Sequence, residues 1–292
     1  MAQSMRHFFC ASMPYIRGMM TTRISHLIDR SVLRLSGRDA RPWLQSLVTN
    51  EVEKVHAGEG RYAALLTPQG KILFDFFVTP DGENLLIDCR ADQAQALAKR
   101  LSMYKLRSDV AIASADDLAV AVAWGEAPPQ VSRAILYADP RSERMGWRMI
   151  GEPQEFDLLG IEGSEGDAYA AHRISCGVPE GGIDFAYGDA FPHEANMDLL
   201  HGVDFRKGCY IGQEVVSRVH HRGTARKRIL RVNLSAPVAT GTPVMAGEIA
   251  IGEIGSVAGN DALASLRTDR VEEATNAGVK LKAGDSDLTP VS

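Results

Sequence analysis

The sequence predicts a mixed α+β protein that ends in a β-rich domain. Between residues 31 and 122, short apolar strands alternate with two amphipathic helical patterns, which is typical of an α+β unit of the ferredoxin-like type. After residue 228, short apolar runs separated by glycines indicate a small barrel or sandwich. A chain of 292 residues exceeds the usual size of one domain, so we expect two or three.

Composition narrows the class of protein. A net charge of −5 and a pI near 5.9 argue against a protein that coats nucleic acid. No apolar run approaches the roughly 20 residues of a membrane-spanning helix, so we expect no membrane insertion. The four cysteines lie far apart, without the spacing of a zinc site or a disulfide framework, which predicts a reduced, intracellular protein. They are Cys10, Cys89, Cys176 and Cys209.

Two interpretations of the first twenty residues remain open. Arg6 and Arg17 are present and no acidic residue precedes Asp29, as in a mitochondrial transit segment. We favour the alternative that residues 1–20 are a disordered or mis-assigned extension, since Met19 or Met20 is a plausible true start.

The elements up to residue 122 follow from periodicity. A strand from Ser31 and a turn at Gly37 lead to a helix capped by Asp39, with an apolar face that runs to Val48. Residues 62–78 form a hairpin around Pro68-Gln69-Gly70. The remaining predicted elements are a strand at 85–88, a helix at 91–103 and strands at 110–112 and 118–122.

Residues 126–166 are rich in proline, glycine and charge, so we expect a connection dominated by loops, with short strands at 134–137 and 147–150. A helix at 169–175 follows. The next segment, from Pro179 to Phe205, is glycine-rich and has no regular period, which is more typical of the wall of a site than of a core element.

The stretch Lys207-Gly208-Cys209-Tyr210-Ile211-Gly212-Gln213-Glu214 is where we expect the chemistry. Arg206 and Lys207 favour the thiolate of Cys209, the form that attacks electrophiles and binds metals. Gly212 offers a cap for a helix whose first turn accepts the Glu214 carboxylate. A buried structural cysteine at a glycine-rich turn is the competing interpretation.

This stretch resembles the KGC-aromatic-x-GQE motif of the YgfZ-type folate-binding proteins, relatives of the T-protein (aminomethyltransferase) of the glycine cleavage system. The resemblance implies a three-lobed T-protein-like fold with two ferredoxin-like α+β units and a C-terminal β-barrel. The first unit would comprise 21–55 and 120–226, the second 56–119, and the barrel 227–292.

The resemblance also implies a function. We expect a tetrahydrofolate-binding accessory protein for the assembly or maintenance of iron–sulfur enzymes, with support of tRNA modification among its roles. Cys209 would be the working thiol beside Lys207, and would supply one ligand to a transient cluster shared with an A-type carrier protein. Iron–sulfur client enzymes would be further partners, without direct nucleic-acid or membrane binding. The expected location is the bacterial cytoplasm, with the mitochondrial matrix as the alternative.

Folate contacts are expected in two places. Glu194, in a Pro-x-Glu segment that resembles one in the T-protein folate cleft, would read the pterin ring, because a carboxylate accepts two hydrogen bonds from an amino-pyrimidine edge. Arg218 and Arg222 would hold the anionic tail, with Gln213 and Glu214 in the same site. These arginines belong to a basic cluster, for which nucleic-acid phosphate is a less favoured ligand than folate and a solvated edge is the competing interpretation: Arg218, His220, His221, Arg222, Arg226, Lys227 and Arg228.

One departure separates the chain from the T-protein. Where that enzyme resembles Gly-Gly-x-x-Asp-Asp, this sequence reads Gly70-Lys71-Ile72-Leu73-Phe74-Asp75. General acid–base work needs a carboxylate within reach of the proton, so Phe74 weakens the alternative of a folate-dependent aminomethyltransferase. A cysteine-nucleophile enzyme unrelated to folate is a third hypothesis, but no His or Asn partner for Cys209 can be assigned from the sequence.

Overall fold

The computed structural model describes residues 22–157, 159, 166–223 and 225–291, so the predicted N-terminal extension lies outside the described residues. Their strands form three sheets, one of them a closed barrel. The mixed α+β class and the C-terminal barrel are as predicted. No helix in these ranges has the length and apolar character needed to cross a membrane.

The first sheet has five antiparallel strands in the order β3-β4-β5-β2-β6. Two helices cover it, α1 and α2, and the largest apolar core lies between them and the sheet. The bounds are β2 Arg30–Ser36, α1 Ala40–Gln45, β3 Arg61–Leu66, β4 Ile72–Asp81, β5 Asn84–Arg90, α2 Ala91–Tyr104 and β6 Ala111–Ser114.

The strand pairing divides the chain differently from the predicted units at one point. β2 pairs with β5 and β6, so residues 30–36 join the sheet of 61–114 instead of the unit built by 120–226. Short-range periodicity defines a strand but not its partner.

Helix α1 is shorter than its apolar pattern. It ends at Gln45, although Leu47 and Val48 beyond it are also buried, and Val48 forms an isolated bridge with Leu65. Asp39 stands at the N-cap position but does not cap: its side chain accepts a hydrogen bond from the backbone N–H of Asp109 at 2.8 Å. The predicted cap is therefore wrong, because the Asp39 carboxylate binds a backbone group distant in sequence instead of the first turn of α1.

The second sheet has the order β1-β7-β9-β8 and is also antiparallel. Residues 126–166 are thus not simply a loop connection, since the two short strands predicted in them complete this sheet and β9 is mostly buried. The bounds are β1 Arg23–His26, β7 Ala119–Trp124, β8 Ile135–Ala138, β9 Trp147–Gly151, α3 Pro153–Asp157 and α4 Gly166–Ser175.

The third sheet closes as β10-β13-β12-β11-β14-β15, with apolar residues of every strand filling its interior. The pattern after residue 228 did not predict α6, which follows β13 directly. The bounds are α5 Gln213–Arg222, β10 Lys227–Leu234, β11 Pro243–Ala246, β12 Ile249–Ala258, β13 Asp261–Arg267, α6 Thr268–Asn276, β14 Leu281–Ala283 and β15 Ser286–Pro290.

The segment between α4 and α5, residues 176–212, has turns but no helix or strand. It is nevertheless well packed. Ala195 and Met197 are fully buried in a cluster with Tyr62 of β3 and with Ile229 and Leu263 of the barrel. This irregular segment therefore connects the first sheet to the barrel.

Candidate functional site

Lys207 fixes the motif segment to the body of the protein. Its Nζ donates hydrogen bonds to the backbone oxygens of Gln45 and Val48, both at 2.6 Å, and of Asn50 at 3.0 Å. Burial lowers the pKa of Lys207 to about 8. The ammonium group is thus occupied by three carbonyls at the end of α1 and just after it, and its action on the Cys209 thiol remains a prediction.

Gly212 allows the segment to lie against the β3–β4 hairpin. Its φ is +80°, in the left-handed region, and it is the N-cap residue of α5. A Cβ at this position would lie 2.5 Å from the backbone oxygen of Thr67 and 3.0 Å from the Cα of Gly70. The predicted cap and helix are both present, and glycine is required for the close approach.

Cys209 is exposed, whereas Lys207 and Tyr210 on either side of it are buried. The competing interpretation of a buried structural thiol is therefore wrong for Cys209. That interpretation suits Cys89 instead, because it lies in the core of the first sheet and burial raises the pKa of its thiol to about 12. A Cβ on Gly208 would meet no atom within 4 Å, so the chain next to Cys209 is open to a partner.

Helix α5 carries the other predicted ligands on exposed positions. Glu214 and Arg218 form an exposed i,i+4 ion pair at 2.6 Å, and Arg222 is exposed in the last turn. Surface pairs of this kind contribute little to stability. Neither of the two cavities described next is lined by Gln213, Glu214, Arg218 or Arg222. Their role as folate ligands therefore remains a prediction without a cavity next to these side chains.

A central cavity of about 270 Å³ lies between the two open sheets and the glycine-rich segment. Asp75, Phe77, Tyr169 and Tyr187 line it. Part of the glycine-rich segment forms one wall, where a Cβ on Gly181 would lie 2.2 Å from the Tyr187 hydroxyl. Five guanidinium side chains line the same space: Arg30, Arg90, Arg141, Arg148 and Arg173.

Buried carboxylates hold four of these arginines, Arg30, Arg141, Arg148 and Arg173. Asp88 of β5 is fully buried and pairs with both Arg30 and Arg148. Burial alone would raise the pKa of the Asp88 carboxyl, but the two guanidinium groups more than offset it and the pKa is lowered. Arg148 also lies over the Phe77 ring, 3.9 Å from its centroid. The cations of the cavity are therefore fixed before any ligand arrives.

Asp75 faces this cavity while Phe74 faces the core. The two are neighbours on β4, where successive side chains point to opposite faces, and Phe74 belongs to the core of the first sheet. The Asp75 carboxylate accepts hydrogen bonds from the hydroxyls of Tyr62 and Tyr187. Burial, followed by the Asp75 charge, raises the pKa of Tyr187 well above its usual value, so the phenol remains a donor.

Glu194 lies elsewhere, at a second cavity of about 200 Å³. Its carboxylate accepts a hydrogen bond from the backbone N–H of Phe191 at 2.9 Å, so part of its capacity is used within its own turn. Lys71 and Lys227 line the same cavity. The predicted pterin-reading residue and the arginine-lined cavity are therefore separate features.

Sequence reasoning missed the arginine-lined cavity. The available signal was charge within apolar strands, as with Asp88 in LLIDC and Arg148 in WRMI, because a buried charge needs a partner. For metals, the described ranges contain no group of three His, Cys, Asp or Glu side chains that could hold an ion.

The fold defines a class of protein. Residues 23–150 match the family described as the GCVT N-terminal domain, and residues 226–292 match the CAF17 C-terminal beta-barrel domain. The crystal structure of the glycine cleavage system aminomethyltransferase T from Bartonella henselae superposes with a TM-score of 0.72 at 14% identity, covering 92% of this chain and 84% of that one. The chain thus has the aminomethyltransferase fold.

Curated relatives identify the family. The mitochondrial iron–sulfur cluster assembly factor IBA57 of Mus musculus is 33% identical, over 91% of this chain and 82% of the relative. The Homo sapiens protein of that name is 34% identical, over 84% and 78%. The chain belongs to the family of IBA57 iron–sulfur cluster assembly factors. A Mycosarcoma maydis homologue is 36% identical, and the match spans 57% of its length. Membership of the YgfZ-type group remains a prediction.

Proposed function

We propose that this protein is an iron–sulfur cluster assembly factor in which Cys209 supplies a thiolate to a cluster carried by a partner protein. The names of the IBA57 relatives support the assembly role. The observation that carries the choice of residue is that Cys209 is exposed between the buried residues Lys207 and Tyr210, on a segment fixed by Lys207.

The cluster is cargo in this proposal. A [2Fe–2S] or [4Fe–4S] cluster normally has four protein ligands, and Cys89 is buried in a core and unsuited to join Cys209. The Cys209 Sγ would form one bond to iron, its proton would pass to solvent, and one ligand of the carrier would be displaced. No electron is transferred in this exchange. An A-type carrier is the proposed donor, and iron–sulfur client enzymes are the proposed acceptors.

Two further predictions concern the location of the protein and its support of tRNA modification. Of the two predicted locations, the names of the relatives support the mitochondrial matrix and give no support to the bacterial cytoplasm. Support of tRNA modification rests on the resemblance of the motif alone.

The side chains that line the central cavity suit the chemical groups of tetrahydrofolate. Each Asp75 oxygen accepts one tyrosine hydrogen bond and keeps a further lone pair for a donor of an amino-pyrimidine edge, and the guanidinium groups suit the carboxylates of a glutamyl tail. We propose Asp75, Arg30 and Arg90 as its ligands. When bound, folate would supply a one-carbon acceptor beside Asp75, so aminomethyl transfer is kept as the alternative activity. Formation of methylenetetrahydrofolate from an aminomethyl-lipoyl carrier would favour it.

Cluster exchange tests the main proposal. The purified protein is mixed with a [2Fe–2S]-loaded A-type carrier, and the complex is followed by size exclusion and visible circular dichroism. We expect a cluster-bridged complex with wild type and its loss in Cys209→Ser. Cys176→Ser is the matched control, because this half-buried thiol lies outside the motif, and it should behave as wild type. A bridged complex with Cys209→Ser would contradict the assignment.

A further inference from the structure

Residues 206–228 carry a charge opposite to that of the rest of the chain. They contain seven lysines and arginines and one acidic residue, Glu214, so their net charge is +6. Because the whole chain has a net charge of −5, the remaining residues sum to −11. The concentration of positive charge is therefore local and surrounds the exposed thiol in the sequence.

Folding brings the two ends of this stretch together. The ring of His220, in the last turn of α5, stacks on Phe205 with 3.7 Å between centroids and 17° between planes. Arg206 therefore lies beside the end of the helix. Three residues span at most about 11 Å, so Arg206 is also close to Cys209. Arg206 and the last turn of α5 therefore lie near the thiol.

Several of these cations have no internal partner. Within the described part of the chain, Arg206, Arg222 and Arg226 form no salt bridge, whereas Arg218 pairs with Glu214. Arg206, Arg222 and Arg226 are all exposed. Arg206, Arg218, Arg222 and Arg226 are called the basic surface below.

The shape of the basic surface favours a macromolecule. It comprises Arg218 and Arg222 on a ten-residue helix, Arg206 in a turn before the helix and Arg226 after it, and neither cavity described above includes these arginines. Small molecules bind in concave sites, whereas a protein interface covers about 800 Å² on each partner, enough to include both the thiol and these arginines. Nucleic acid is disfavoured as the partner, because the remaining residues have a net negative charge and would repel its phosphates.

We propose that the basic surface docks an acidic face of the protein that brings the cluster to Cys209. This inference rests on the proposed function and names the partner by its chemistry, a negatively charged surface around the cluster. Complementary charge mainly raises the rate of encounter and orients the partner. The basic surface thus directs the cluster toward the thiol before iron is bound.

Charge reversal tests this inference. Association of the [2Fe–2S]-loaded A-type carrier is measured by stopped flow with wild type and with the double variant Arg206→Glu/Arg222→Glu. At about 0.02 M salt we expect the association rate constant to fall by roughly tenfold or more, and at about 1 M salt the two proteins should converge, because the screening length is then only about 3 Å. The matched control, Lys99→Glu/Arg133→Glu, reverses two exposed cations outside the basic surface and should associate as wild type does.

The experiment distinguishes failure of the docking surface from failure of the proposed role of Cys209. Cys209→Ser keeps the basic surface, so it should retain fast association while it loses the bridged cluster. An unchanged rate with Arg206→Glu/Arg222→Glu overturns the docking surface and leaves the role of Cys209 standing. A wild-type protein that does not associate with the carrier overturns both. Salt-sensitive binding of a mixed-sequence oligonucleotide that the double variant loses, or weaker tetrahydrofolate binding in that variant, would reassign the surface and overturn the proposal.

Discussion

His193 is a buried imidazole whose two ring nitrogens have no hydrogen-bond partner among the described residues. It is 3% exposed and packs beside the rings of Phe205 and His220. Burial lowers its pKa, the Arg228 and His220 charges add to this, and Asp198 opposes it. The folded protein therefore holds this side chain neutral at pH values where the unfolded chain protonates it.

The sign of the pH dependence follows. Below the unfolded pKa of about 6.5 the unfolded state binds more protons, so the free energy of unfolding falls as the pH falls, by up to about 1.4 kcal/mol per pH unit for this group. We expect His193→Phe to lose that part of the dependence between about pH 6.5 and 5 in urea unfolding. His56→Gln, at an exposed position, is the control and should unfold as wild type does. If the His193 variant keeps the full slope, the dependence belongs to other groups, among them His172, whose pKa burial also lowers.

Lys207 of the motif makes different contacts from those that its place in the sequence suggested. Lys207 was predicted to favour the Cys209 thiolate because the two are near in sequence. The structure gives its ammonium three backbone carbonyls of another segment. Adjacent residues on an irregular chain need not face each other, so proximity in the sequence could not assign the role of Lys207.

At the scale of the element, the two glycines of the motif have different requirements. Gly212 is left-handed and has no room for a Cβ, whereas Gly208 has no positive φ and open space around it. Gly212 was predicted as the cap of a helix, whereas no such role was predicted for Gly208. The sequence does not show that Gly212 must lack a side chain, because the Thr67 oxygen and the Gly70 Cα that exclude one come from a distant hairpin.

This difference gives a prediction. Gly212→Ala should lower the free energy of unfolding by about 2 to 4 kcal/mol, because it combines an unfavourable φ with a backbone clash. Gly208→Ala should change it by no more than about 0.5 kcal/mol. Chemical denaturation of both variants is the measurement. Equal stabilities would show that the motif segment does not rest on the hairpin as described.

At the scale of the whole molecule, the central cavity combines side chains from distant parts of the chain. Arg30 comes from β2, Asp75 from β4, Arg148 from β9 and Tyr187 from the glycine-rich segment. Glu194, the pterin-reading residue predicted from a local Pro-x-Glu segment, lines a different cavity. Folate binding by one variant in each cavity distinguishes the two sites.

We expect Asp75→Asn to weaken tetrahydrofolate binding by about tenfold to a hundredfold, because a charged hydrogen-bond partner is worth roughly 1.5 to 3 kcal/mol. Asn keeps the shape, so the fold should be retained. Glu194→Ala should leave the dissociation constant unchanged. Calorimetry on both variants is the check, and the reverse result would place folate at the second cavity.

The sequence by itself determined the mixed α+β class, the C-terminal β domain and most of the strands, and it singled out the segment 207–214 in which a working thiol is proposed. These depend on local patterns: alternation in the strands, glycines at turns and one dense motif. Tertiary structure decided the rest. It set the partner of β2, the end of α1, the exposure of Cys209 and the arginine-lined cavity, because each depends on which distant groups satisfy a backbone edge, a buried charge or an apolar face.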